Sequence, residues 1–164
     1  MKIKNSVVCS RKLLLIFAIL VLINNLLACS EKVSDPEAEI RQYIEALKLA
    51  AENRSYSDLQ ELIHNKYKDH RGLDKKQLVK MARGYFFTHK NINLFTQIDS
   101  IEFLNENNAF VKVHIAMAGN VITDIDSLST LRARFYLFEL QVMKDKTWQL
   151  KQAKWQEASI KDML

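Results

Sequence analysis

Four ionisable side chains could carry acid–base chemistry in this chain. Asp69 and His70 are adjacent in the charged segment KYKDHRG, and His89 and His114 lie farther along. A carboxylate or imidazole within hydrogen-bonding distance of a substrate can transfer a proton, which would serve a small hydratase or isomerase. Each also has a structural interpretation. Asp69 and His70 fit a solvated turn between helices, His89 fits the C-terminal end of a helix dipole, and His114 shares a strand face with Lys112.

Motifs for metal, nucleotide or serine-hydrolase chemistry are absent from the sequence. It contains no HExxH, no glycine-rich phosphate loop, no GxSxG and no Cys/His spacing suited to a metal. Its two cysteines, Cys9 and Cys29, both precede the predicted folded domain, so that domain has no thiol for a disulfide or a nucleophile. The sequence predicts no metal site and no cofactor.

The first 28 residues have the organisation of an export signal. A basic segment free of acids, residues 1–12, precedes the apolar run LLLIFAILVLI at 13–23. This run is shorter than the roughly 20 residues that a permanent membrane helix needs, which favours a cleavable signal. An uncleaved membrane helix over 13–28 is the alternative.

Leu26-Leu27-Ala28-Cys29 follows this run after Asn24 and Asn25. It resembles the lipobox of bacterial lipoproteins, in which a small residue precedes the cysteine that receives a diacylglyceryl group. The resemblance implies that residues 1–28 are removed, that Cys29 carries the lipid, and that residues 29–35 form a short lipidated tether. It also implies that Ser30 permits sorting to the outer membrane, where the domain would face the periplasm.

Removal of the signal changes the charge of the protein. Residues 1–28 contain four of the 24 basic residues and none of the 19 acidic ones, so the mature chain has a net charge of +1. The basic pI of about 9.2 is therefore mostly a property of the signal. It gives no support for nucleic-acid binding.

Three helices are predicted after the tether. Each start has a polar residue that can cap the first turn, and two have glutamine three positions later, as a capping box requires. The first helix is predicted to end near Asn53 and the third near His89. The caps and their following residues are Asp35 with Pro36, Ser57 with Gln60, and Asp74 with Gln77.

Beyond residue 94 the apolar pattern has a period of two, which is typical of strands. In the last strand Trp148 and Leu150 share one face, whereas Trp155 falls on the other. Either a bulge near Lys151 restores the face, or the two tryptophans serve different surfaces. The predicted strands are 94–104, 109–118, 131–143 and 147–156, with a loop at 120–130.

This order of elements resembles the nuclear transport factor 2-like superfamily, with Trp148-x-Leu150 and Trp155 in the last strand. The resemblance covers about Pro36 to Ala158 and leaves 159–164 as a C-terminal tail. It implies an α+β fold in which three N-terminal helices pack on a curved antiparallel sheet of four or more strands, forming a cone with a pocket. Dimerisation through the sheet is implied, but no single chemistry, since isomerases, dehydratases, hydrolases and binding modules share the scaffold.

A pocket in such a cone could be lined by aromatic and methionine side chains, but at helical or strand spacing such residues are more often plain core. Arg132 and Arg134 share one face of the predicted strand 131–143, which is apolar on both faces. We expect this parity to face outward; if it faced inward, two arginines would ring the mouth and suit an anionic ligand. If Val111 and Met117 line the cone, His114 points outward. The pocket candidates are Tyr43, Tyr67, Tyr85, Phe86, Met117, Arg134 and Tyr136.

The sequence favours an envelope lipoprotein whose domain is non-catalytic and binds a small apolar ligand or a partner protein. No acid is placed convincingly on a core face, and binding alone needs no positioned proton carrier. A small hydratase or isomerase using Asp69, His70 or His114 is the alternative. The expected partner is the membrane, through the lipid on Cys29; a second copy of the chain, bound through the sheet, is a further candidate.

Overall fold

The computed structural model describes residues 35–122 and 133–162. Cys29, Ser30, Arg132 and most of the predicted 120–130 loop lie outside these residues, and the predictions about them stay predictions. None of the described helices is both long enough and apolar enough to cross a membrane. The elements are α1 (Pro36–Glu52), α2 (Tyr56–Glu61), β1 (Ile63–Asp69), α3 (Lys75–Thr88), β2 (Asn93–Asn105), β3 (Asn108–Ala118), β4 (Arg134–Lys144), β5 (Trp148–Glu157) and a 3₁₀ helix (Ile160–Asp162).

The first and third helices begin where local capping chemistry predicts. Asp35 caps α1 by accepting a hydrogen bond from the Glu37 amide at 3.0 Å, and Pro36 follows at the first helical position. In α3 the Asp74 carboxylate accepts from the Gln77 amide, and the Gln77 side chain accepts from the Asp74 amide, each at 2.9 Å. These bonds satisfy amides that a helix start leaves unpaired. Both predicted starts are confirmed.

The second helix begins earlier than predicted. Its N-cap is Ser55, whose Oγ accepts from the Asp58 amide at 3.3 Å. Ser57 lies inside the first turn, where its hydroxyl is 3.1 Å from that of Ser55. The predicted start at Ser57 was wrong because the sequence offers two serines within one turn, and Gln60 favoured the second.

The five strands form one sheet in the order β1-β5-β4-β3-β2. The four predicted strands pair antiparallel, whereas β1 joins the edge parallel to β5. The sheet is therefore mixed rather than wholly antiparallel. β1 is polar in sequence, and only Ile63, Tyr67 and Asp69 are buried. Because side chains alternate between the two faces of a strand, these few residues suffice for an edge strand with one face on the core.

A β-bulge explains the parity of the two tryptophans. The pairing of β4 with β5 slips by one residue, so that Lys151 is extra. The slip returns Trp155 to the sheet face of Trp148 and Leu150, and Trp155 packs against the core that those two residues enter. The predicted bulge is confirmed.

The core lies between the helices and one face of the sheet, which we call the inner face. Val111 and Val113 of β3 are fully buried there, whereas Phe110 and Lys112 lie on the opposite, outer face. This alternation agrees with the predicted faces of β3. The buried core residues are Ile40, Tyr43, Ile44, Ile63, Tyr67, Ala109, Val111, Val113, Leu140, Val142, Trp148, Leu150 and Ala153.

Candidate functional site

Asp69 is the buried charged side chain of the described residues, and it lies at the end of β1. Its Oδ1 accepts hydrogen bonds from the amides of Arg71 and Leu73, both at 2.8 Å. Gly72, at φ 86°, allows this tight turn, and its amide donates to the Asp69 carbonyl at 3.0 Å. Oδ2 lies 3.6 Å from the Arg71 Nε and has no hydrogen-bond partner among the described residues. The carboxylate thus closes a turn and is balanced by a guanidinium.

Tyr67 lies two residues earlier on the same buried face of β1. Its hydroxyl is buried and lacks a hydrogen-bond partner within the described part of the chain. Burial raises the pKa of this phenol above its ordinary value, the negative charge of Asp69 raises it further, and Arg71 opposes the rise. The hydroxyl of Tyr43 is buried nearby but donates to the Leu62 carbonyl at 2.9 Å. Both pocket candidates therefore fill the core.

The His70 ring turns away from Asp69 and meets Trp155. The two ring centroids are 4.6 Å apart in an edge-to-face arrangement, and the Arg71 guanidinium lies 4.4 Å from the Trp155 ring. Phe138 stacks on the other side of this group, 5.9 Å from Trp155. Neither a hydrogen bond nor an ion pair joins the rings of these described residues to Asp69. An acid–base pair is therefore not formed by the two adjacent candidates.

The other two candidate histidines lie on β3 and at the end of α3. His114 is on the outer face of β3, opposite the buried valines, and its Nδ1 is buried without a hydrogen-bond partner in the described residues. His89 caps the C-terminus of α3, where Nδ1 is 3.0 Å from the Tyr85 carbonyl and the ring stacks on Tyr85 at 3.8 Å. His89 therefore has the structural position that its helix end predicts.

The parity of β4 that carries Arg134 faces inward. Leu140 has this parity, pairs with Val111 and is 5% exposed, and Phe138 packs against the same core. The expected outward orientation was wrong. The strand is apolar on both sides, so its own pattern could not decide the face, and pairing with β3 decides it instead. Phe135, of the opposite parity, packs with Ala116 on the outer face.

Four of the pocket candidates meet at one end of the inner face. We call them the Tyr85 cluster; its members are Tyr85, Met117, Arg134 and Tyr136. The Tyr85 hydroxyl is 3.0 Å from the Met117 sulfur, and Met117 pairs across the sheet with Arg134. Burial raises the pKa of Tyr85, the positive charge of Arg134 opposes the rise, and Tyr136 adds to it. Arg134 is exposed and has no ion-pair partner among the described residues. Phe86 is half-buried on α3 beside this cluster.

Sequence reasoning did not single out Arg71 or Phe138. Arg71 stands two positions after Asp69 in the charged segment, so an arginine next to a candidate acid was a usable signal. The role of Phe138 depends on which residue of β5 lies opposite it. That residue is Trp155, and it is known only once the register of β4 with β5 is known. A groove on the outer face was also missed; its walls include Phe110, Lys112, Glu139 and Lys154.

Metal chemistry finds no preformed site in the residues that the structure describes. No group of three or more His, Cys, Asp or Glu side chains could hold an ion there. The described residues instead offer two features: a buried acid at the end of β1 that faces the Arg71 guanidinium, and an aromatic and methionine surface beside an arginine that has no ion-pair partner among them.

No family model and no curated protein matches this sequence, but solved structures share its fold. A protein from the nuclear transport factor 2-like (NTF2-like) family of Streptomyces avermitilis matches with a TM-score of 0.62 at 12% identity, over 75% of this chain and 96% of that one. A ketosteroid isomerase-like protein from Erwinia carotovora atroseptica gives 0.57 at 12% identity, over 77% and 98%. A hexachlorocyclohexane dehydrochlorinase from Novosphingobium barchaimii gives 0.58 at 8% identity, over 75% and 86%. At these identities the likeness concerns the fold alone, and this chain has the NTF2-like α+β fold.

Proposed function

We propose that the protein is an envelope lipoprotein whose NTF2-like domain binds a small, mainly apolar ligand with a negative charge and catalyses no reaction. The observation that carries the proposal is the Tyr85 cluster. An exposed arginine, Arg134, that has no ion-pair partner among the described residues lies beside two tyrosines and a methionine on the core-facing side of the sheet. A guanidinium pairs well with a carboxylate or a phosphate, and the surrounding apolar surface would cover an alkyl chain.

Asp69 supports the non-catalytic part of this proposal. One of its oxygens is saturated by two backbone amides, and the other faces the Arg71 guanidinium. Asp69 Oδ2 has no hydrogen-bond partner among the described residues, but its side chain is fully buried, whereas a proton carrier must come within about 3 Å of its substrate. Neither the His70 ring nor the His114 ring pairs with Asp69 among the described residues, because His70 packs on Trp155 and His114 lies on the outer face.

The ligand proposal is tested by titration calorimetry on residues 30–164 with two probes of equal chain length, dodecanoate, which has an anionic carboxylate, and dodecanol, which has a neutral hydroxyl. We expect the wild-type chain to prefer dodecanoate and Arg134→Gln to bind it about tenfold more weakly, a loss of about 1.4 kcal/mol. Lys66→Gln on the exposed outer face of β1 removes an equal charge and should leave binding unchanged. Equal loss in both variants, or no binding by the wild type, would refute the proposed site.

The lipoprotein part rests on the lipobox resemblance at Cys29. Cells given radioactive palmitate should label the wild-type protein, and Cys29→Ala should remain an unlabelled precursor. Label in the alanine variant would overturn this part of the proposal. Ser30→Asp should move the mature protein from the outer to the inner membrane on a sucrose gradient, and an unchanged position would count against the proposed sorting.

The alternative is a small hydratase or isomerase, and one observation favours it. The Tyr67 hydroxyl and the Asp69 Oδ2 are both buried on one face of β1 without hydrogen-bond partners among the described residues. Buried polar atoms of this kind are rare and can mark a site for water or a ligand. If Asp69→Asn kept the fold but abolished a measured turnover, the enzyme would replace the binding module as the better proposal.

A homodimer through the sheet also stays a proposal. The outer face presents Phe110, 44% exposed, beside Lys112 and Glu139 in the groove described above. A second copy related by a twofold axis would place each lysine near a glutamate of the other chain. Sedimentation of the wild type as a dimer and of Phe110→Asp as a monomer is expected; a monomeric wild type would refute it.

A further inference from the structure

The solvent-exposed side of α3 presents a basic and aromatic surface that the proposed ligand site does not use. Lys76, Lys80, Arg83 and Phe87 recur at helical spacing and are all exposed. Residues four, three and four positions apart lie above one another on a helix, so these side chains form one stripe. Phe87 is 90% exposed, which is unusual for so large an apolar side chain in a folded domain.

The charges of the stripe are not balanced by acids. The chain contains no Asp or Glu between residues 75 and 98, and none of the three cations forms an ion pair with a described residue. Arg83 instead lies over the ring of Tyr56 on α2, 5.2 Å from its centroid, and that ring is 46% exposed. In contrast, α1 mixes both signs: Arg41 pairs with Glu37, and Lys48 pairs with Glu45.

We propose that this α3 stripe rests on the surface of a bilayer that contains anionic phospholipids. Cationic side chains near such a surface attract its phosphate groups, and an aromatic side chain enters the boundary between headgroups and acyl chains. The choice of a bilayer as occupant rests on the proposed lipidation of Cys29. From Cys29 to Asp35 the chain spans at most about 20 Å, so the domain cannot leave the membrane and some surface must face it. The stripe is the surface whose charge and exposed aromatic groups fit that position.

The attraction itself does not require the lipid, which separates this test from the palmitate test. Asp35–Leu164 is a compact unit, and the core of the described residues lies within it. The unlipidated chain from Ser30 can therefore be mixed with sedimentable vesicles. One set contains equal parts of phosphatidylglycerol and phosphatidylcholine, and the other contains phosphatidylcholine alone.

We expect the wild type to sediment with the phosphatidylglycerol vesicles only, and added salt to release it. Each cation near such a surface is worth about 1 kcal/mol, or roughly fivefold, so Lys80→Gln with Arg83→Gln should lower the partition coefficient about thirtyfold. Phe87→Ser should lower it by a smaller factor and leave the salt dependence intact. Lys66→Gln with Lys68→Gln changes the same charge on the outer face of β1, outside the groove, and should match the wild type. Urea midpoints of all variants verify that each is folded.

Three results would overturn the proposal: no sedimentation of the wild type, equal sedimentation with both vesicle types, or equal loss in the stripe and outer-face variants. Palmitate label on Cys29 together with any of these results would leave the lipoprotein proposal intact while rejecting the α3 stripe as its membrane-facing surface. Absence of label together with stripe-dependent sedimentation would reject the lipoprotein proposal while leaving the α3 stripe as a membrane-binding surface.

Discussion

Tyr43 and Tyr67 allow a matched test of how the interior of the domain is filled. Their side chains are 5% and 1% exposed, and a change to phenylalanine removes one hydroxyl from each. The Tyr43 hydroxyl donates to the Leu62 carbonyl, which also accepts from the Leu150 amide at 2.9 Å. The Tyr67 hydroxyl has no partner among the described residues. The two substitutions thus differ mainly in whether a hydrogen bond is lost.

The expected changes in the free energy of unfolding have opposite signs. Tyr43→Phe loses one hydrogen bond but leaves the carbonyl of Leu62 paired with an amide, so it should destabilise the fold by about 1 kcal/mol. Tyr67→Phe removes a hydroxyl that is buried without a partner among the described residues. Since an unpaired buried hydroxyl costs about 1 to 3 kcal/mol, this variant should match the wild type or be more stable by up to about 1 kcal/mol.

Urea unfolding of residues 30–164, followed by tryptophan fluorescence, measures both changes, provided that the slopes stay equal. The reasoning is refuted if Tyr67→Phe lowers the free energy of unfolding by about 1 kcal/mol or more. That result would mean that a water molecule or a ligand group binds the Tyr67 hydroxyl. The interior would then hold a polar site, and the catalytic alternative around Asp69 would gain support.

Three further predictions concern alkaline pH, Trp148 and Asp69. Burial raises the pKa of Tyr43 and Tyr67 above the ordinary 10.0. Their neutral forms therefore stabilise the fold below pH 10, and this stabilisation is lost as the pH rises further. In urea titrations above pH 10, the variant with both tyrosines changed to phenylalanine should lose stability less steeply than the wild type. Trp148 is 5% exposed, and its Nε1 donates to the Glu39 carboxylate at 2.9 Å. Trp148→Ala should therefore lower the free energy of unfolding by about 3 to 5 kcal/mol. A loss under about 1 kcal/mol would show that Trp148 lies on the surface. Asp69→Ala should cost about 1.5 to 3 kcal/mol because it leaves two buried amides unpaired, whereas Asp69→Asn, which keeps an acceptor oxygen, should cost clearly less in the same assay; equal losses would contradict the turn-closing role.

Local chemistry accounts for the parts of the fold that were predicted correctly. The starts of α1 and α3 depend on contacts between residues two or three positions apart, such as the Asp74–Gln77 capping box. The inner face of β3 follows from strict alternation around Val111 and Val113. Such signals are contained in short segments, so they can be read before any tertiary contact is known. The start of α2 failed at the same level, because Ser55 and Ser57 are both plausible caps and only the folded helix selects one.

The candidate site depends on contacts that no short segment contains. Arg134 lies on a strand that is apolar on both sides, and its inward orientation follows from pairing with β3. Tyr85 and Met117 are 32 positions apart and meet because α3 crosses the end of β3. The ring of His70 meets Trp155 across the parallel pairing of β1 with β5. These juxtapositions depend on strand order and register, which are set by the packing of the whole sheet.

What the amino-acid sequence determined by itself is the pattern of caps and alternation that specifies three helices and a sheet, whereas the signal and the lipid attachment at Cys29 stay predictions. These features depend on residue type and short spacing alone. The tertiary structure decided that Asp69 closes a turn beside Arg71, that His114 faces away from the core, and that Arg134 joins Tyr85 at the open end of the inner face. Side chains distant in sequence acquire a shared environment only when the chain folds, because burial and charge pairing are properties of the packed molecule.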